Sequence, residues 1–122
     1  MAKSSHADVL DGLGLVIKNN CNLMIACSQQ PTTRTEAVTT YALADVVMAS
    51  GDFTMEADGD GRKCTVAAKS GVTVDATGTA THVAFVDGTR LLYVTTMTSQ
   101  VLTAGNTCNF PSVAIGKTAQ PT

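Results

Sequence analysis

From Phe53 onward the sequence is a train of short runs separated by turn pairs, and this punctuation constrains the fold more than any other feature. FTMEA meets Asp58-Gly59-Asp60-Gly61 and RKCTVAAK returns; VTVDA bends at Thr77-Gly78 into ATHVAFV; Asp87-Gly88 leads into RLLYVTTMT; a loop near Gly105 precedes TCNFPSVAI. Runs of this length with apolar residues at alternate positions place one face of a strand on a core. Asp-Gly pairs between them supply the positive φ that tight hairpins use. Seven or so short strands at regular spacing, in a chain of 122 residues, suit one domain. The expected class is mainly β: an antiparallel β-sandwich or small barrel with one N-terminal α-helix.

That helix is expected over residues 4–19. Ser4 or Ser5 can cap it, Asp8 suits its positive end, and Val9, Leu13, Val16 and Ile17 recur at helical spacing. Gly12 and Gly14 each weaken it by roughly 1 kcal/mol relative to Ala, so it needs a docking surface. A first strand is expected over residues 21–28, a short helical turn around 35–38, and a strand over the second half of 41–49. The runs 82–86 and 91–94 are apolar at both parities, which predicts two central strands. Pro111 inside the last strand predicts an edge or a bulge, because proline cannot donate to a ladder. Residues 116–122 read as an extended tail.

Charged residues make up only 15% of the chain, against roughly 25% in a typical soluble protein. The polar cover is instead threonine, 19 of them, a β-branched residue that suits a pleated surface and meets water through its hydroxyl. With a net charge of −2 and 8 basic residues spread along the chain, there is no cluster to release counterions from a phosphate backbone. Five aromatics and no Trp give no base-stacking platform. No apolar stretch approaches the ~20 residues of a membrane helix, and residues 1–10 lack the pattern of a secretory signal. No nucleic-acid or membrane partner is therefore expected, and synthesis is expected in a cytoplasm. Cys21, Cys27, Cys64 and Cys108 show no CxxC or zinc-like spacing and share parity with apolar neighbours, so buried thiols are expected.

The patterns that could carry chemistry each fall short. Glu56-Ala57-Asp58-Gly59-Asp60-Gly61 opens like a calcium loop, but Ala67 stands where a bidentate Glu should close the shell, and a hairpin turn explains both Asp-Gly pairs. His82 lies between apolar neighbours with Asp75 and Asp87 near in sequence, yet none of Ser28, Ser50, Ser70, Ser99 or Ser112 sits in a nucleophile elbow. Gly12-Leu13-Gly14 lacks the third glycine and the preceding strand of a dinucleotide loop. No catalytic, metal or cofactor residues are assigned, and a non-enzymatic role is expected.

Taken in order, Gln30 to Thr33 (QPTT), Tyr41 to Ala44 (YALA), Gly51 to Thr54 (GDFT), and Gly61 to Val74, with its Arg-Lys turn and TVAAKSGVTV, form a recognisable succession. It continues with GTATHVAFVDGT from Gly78, LLYVTT from Leu91 and LTAGNT from Leu102. Over roughly two-thirds of the chain this resembles small virion structural proteins of tailed bacteriophages, most of all head decoration (cement) proteins. The resemblance implies a protein on the capsid exterior, assembled in the host cytoplasm, whose partner is the major capsid protein and which associates as a homotrimer. Alternatives are a tail, neck or fibre component of the same particle, or a carbohydrate- or ligand-binding β-sandwich. Candidate contacts with the shell or another subunit are the two ends: Met1, Ala2 and Lys3, and Gly116, Lys117, Thr118 and Ala119.

Overall fold

The computed structural model describes residues 12–58 and 61–118. Within them the chain forms helix α1 (Gly12–Asn20), then strands β1 (Leu23–Cys27), β2 (Ala42–Val47), β3 (Phe53–Asp58), β4 (Gly61–Val66) and β5 (Lys69–Thr73). Strands β6 (Gly78–Val86), β7 (Leu91–Leu102), β8 (Thr107–Phe110) and β9 (Val113–Thr118) follow. A short π-helical turn spans Glu36–Thr40 and a 3-10 turn spans Ser50–Asp52. The expected class is observed: antiparallel sheets dominate, with one short N-terminal helix, and no barrel closes among the described residues.

A four-stranded sheet in the order β2-β1-β6-β7 is the spine. Its two inner strands are apolar at both parities because both faces of the sheet are covered. Met24, Ala26, Val83 and Phe85 point into the main core, while Ile25, Cys27, Ala84 and Val86 point into a second cluster on the opposite face. A bulge in β2 changes its alternation: Ala26 pairs with Ala44 but Cys27 pairs with Ala42. Leu43 is the extra residue, so both Leu43 and Ala44 are buried in the main core. Space for Leu43 comes from Gly78, since a Cβ there would lie 3.0 Å from Leu43 Cδ2.

The three-stranded sheet β3-β4-β9 and the pair β5-β8 supply the rest of the main core. Phe53, Cys64, Val66, Val72, Phe110 and Ile115 come from these strands to meet the spine. Phe85 is the join: its ring is fully buried, edge-on to Phe53 at 6.4 Å and tilted against Tyr93 at 6.2 Å. Helix α1 docks through buried Ile17, and Lys18 Nζ donates to the carbonyls of Ser50 and Phe53, both at 2.8 Å. Val74 bridges Ala44, and the N–H groups of Asp75 and Ala76 donate to the Leu43 carbonyl, strapping part of β2.

The second cluster is roofed by the segment around the π-helical turn. Ala37 is fully buried there, with Val38 and Tyr41 packed beside it. The wide turn is closed by Tyr41 N–H donating to the Glu36 carbonyl at 2.8 Å, an i to i+5 bond. At its start, Glu36 Oε1 accepts from the Thr32 N–H and hydroxyl, and these bonds hold its carboxyl below the ordinary range.

Several expectations need correction. Strand β6 is central but β7 is an edge; the run 91–94 is apolar at both parities because Leu91 and Val94 reach the second cluster while Leu92 and Tyr93 reach the first. The step is made by a bulge at Leu92, between the pairs Phe85–Tyr93 and Val86–Leu91. Pro111 does not lie within a strand: the chain breaks at Pro111-Ser112, and β8 pairs with β5 while β9 pairs with β4. Strand β2 begins at Ala42, earlier than expected. Positive φ occurs among the described residues at Gly71 and Gly105, not at Gly88. Residues 4–11, the first part of the expected helix, lie outside the described residues. No helix among those described is long and apolar enough to cross a membrane.

Candidate interaction surface

The residues singled out for chemistry are occupied by structural tasks. His82 is half-buried on β6, 2.9 Å from the Thr81 hydroxyl through Nδ1. That hydroxyl also donates to the Ser28 carbonyl at 3.1 Å, and which group donates in the His82 contact depends on the imidazole tautomer. The Thr81 hydroxyl thus links β6 to the Ser28 carbonyl, with the imidazole beside it.

Asp87 is held by its own turn. Its Oδ1 accepts from the N–H groups of Thr89 and Arg90, and Oδ2 takes the Arg90 guanidinium at 2.7 Å. The Thr89 N–H above all, with Arg90 after it, lowers the Asp87 pKa to about 2 despite the opposing effect of burial. The Asp87 carbonyl in turn accepts from Arg34 Nε at 2.7 Å, tying the β6–β7 hairpin to the segment before the π-helical turn. The side chain, not the glycine's freedom, shapes this turn.

The calcium-like stretch is a hairpin. Asp58 pairs with Gly61, and Glu56 pairs with Lys63 across β3 and β4. Among the described residues no three His, Cys, Asp or Glu side chains gather in a way that could hold a metal ion. All four cysteines are buried, and burial pushes the thiols of Cys21 and Cys27 up to about 11 and raises that of Cys108. A raised thiol is a weak nucleophile at neutral pH.

Of the terminal contact candidates, Gly116, Lys117 and Thr118 belong to β9, where Lys117 pairs with Lys63 and Thr118 with Arg62. They form a strand, where an extended tail was expected. Met1, Ala2, Lys3 and Ala119 lie outside the described residues.

What the structure places at the surface is β7. It is the longest strand among the described residues, 12 residues, and it carries no charge and no proline. On its outer side no strand pairs with it among the described residues. Thr96, Thr98, Ser99, Gln100 and Val101 are exposed, Val101 to 78%. Between the pairs Ala80–Gln100 and His82–Thr96, one residue of β6 faces three of β7, so residues 97–99 bulge. The bulge opens a shallow cleft of about 330 Å³ toward β8, lined by Met97, Thr98, Ser99, Gln100, Asn109 and Pro111. Its hydrogen-bonding groups are neutral hydroxyls and amides. This edge was not visible as such in the sequence, where the run 91–94 resembled a buried strand; the absence of any charged residue across positions 91–102 was the available signal.

No protein family, curated protein or solved structure matches this chain.

Proposed function

We propose that this chain is a structural protein of a tailed-bacteriophage virion, a head decoration protein that binds the outside of the major capsid shell and strengthens it. The reading rests on the ordered resemblance of the segments from Gln30 to Thr107. The single structural observation that supports it is the uncharged, threonine-rich edge of β7. A protein of this role works by added contact area. Hydroxyls on an open strand edge can bond a protein partner without the desolvation cost of burying a charge. Asp87, His82 and the cysteines, the groups with most chemical potential, serve turns and cores.

The test is binding and mechanics. Purified protein is expected to co-sediment with expanded heads, and heads lacking it are expected to break at lower temperature or lower force. Heads equally robust with and without it, together with no co-sedimentation, would defeat the proposal.

A further inference from the structure

We propose that β7 pairs, edge to edge and antiparallel, with β7 of a second copy of this chain, through residues 93–96. An exposed strand edge is a template for another strand unless something blunts it. The other edges among the described residues are blunted. Strand β2 carries Asp45 and is strapped at Leu43 by the N–H groups of Asp75 and Ala76. Strand β3 carries Glu56 and Asp58, β9 carries Lys117, and β5 carries Lys69. Strand β8 is only four residues long and runs into Pro111. Strand β7 alone is both long and uncharged.

Charge also selects the occupant. In a two-fold pairing an edge meets its own copy, and a strand that carries no charge meets no like charge in any register. Residues 93–96 read Tyr-Val-Thr-Thr and bring none. Thr95 and Thr96 can each donate and accept, so the segment is complementary to itself. The bulge at 97–99 bounds the paired stretch on one side and that at Leu92 on the other. This inference takes residues 93–96 of the same β7 edge that the decoration reading offers to the shell, and it favours pairs where the resemblance implies groups of three.

Sedimentation velocity of the full chain, from low micromolar to submillimolar concentration, tests it. The expected result is a concentration-dependent dimer that Thr96→Lys shifts to monomer and Thr96→Gln leaves intact, with unchanged far-UV circular dichroism in both variants. Amide exchange of the unsubstituted chain gives a second readout that needs no variant: protection within residues 93–96 should rise with concentration. A monomer throughout the range, a trimer, or any oligomer whose population Thr96→Lys leaves unchanged overturns the proposal. So does concentration-independent exchange within residues 93–96.

Discussion

Replacing Phe85 with alanine removes the ring that joins the spine to the strands packed against it. The side chain is fully buried and touches an aromatic ring from β3 and another from β7. Truncating a buried phenylalanine costs about 3–5 kcal/mol, as lost transfer energy plus the unfilled cavity. Each aromatic pair in a favourable geometry contributes ~0.5–1.5 kcal/mol beyond area. A domain has only ~5–15 kcal/mol in total, so the variant should fold but lose a large share of its stability. With a urea slope of ~1–3 kcal/mol/M, a loss of ~4 kcal/mol lowers the midpoint by ~1.3–4 M. Equilibrium urea unfolding followed by circular dichroism reads this directly. Val101→Ala, at the most exposed large hydrophobic residue among those described, is the control and should stay within ~0.5 kcal/mol of the parent. If Phe85→Ala is too unstable to study, Phe85→Leu should show a smaller loss of the same sign. A Phe85→Ala cost under ~1 kcal/mol would refute the placement of this ring at the centre of the core.

Three further outcomes are expected. Asp87 has its carboxyl lowered from 3.8 to about 2 in the folded protein, so its contribution is present above the ordinary value and is lost as pH falls toward about 2. Asp87→Asn should flatten the acid limb of a stability-against-pH curve; parallel curves for the two proteins would contradict the turn described here. Gly78→Ala should destabilise by ~1–3 kcal/mol because its Cβ meets Leu43 Cδ2, and adding Leu43→Ala should give a combined loss smaller than the sum, measured as a double-mutant cycle by urea unfolding. Cys27, fully buried with its thiol pushed up to about 11, should resist a thiol reagent at pH 8 in native protein and react once denaturant is added; prompt native labelling would place it elsewhere.

The hairpin train was legible because period-two alternation and Asp-Gly pairs are local signals: β3–β4 and β6–β7 pair much as the sequence indicates. The continuous apolar run of β6 also reported its two-sided burial faithfully. Strand β7 misled because the bulge at Leu92 lets an edge strand feed both clusters, and alternation alone cannot separate that from a buried strand. Pro111 signalled a break in pairing, but which strands lie on either side of it depends on partners far away in the chain, β5 and β4. The Asp87 turn was legible as a turn and not in its mechanism, since the bonds to Thr89, Arg90 and Arg34 require the folded geometry. The candidate surface was the least visible feature, because edge status is a property of the whole sheet.

Cryo-electron microscopy of particles assembled in cells expressing this chain puts the account to its most direct trial. It should show density for this β-rich domain seated on the outer face of the head shell. Heads with a bare exterior, or density for the domain confined to the tail or neck, would contradict it.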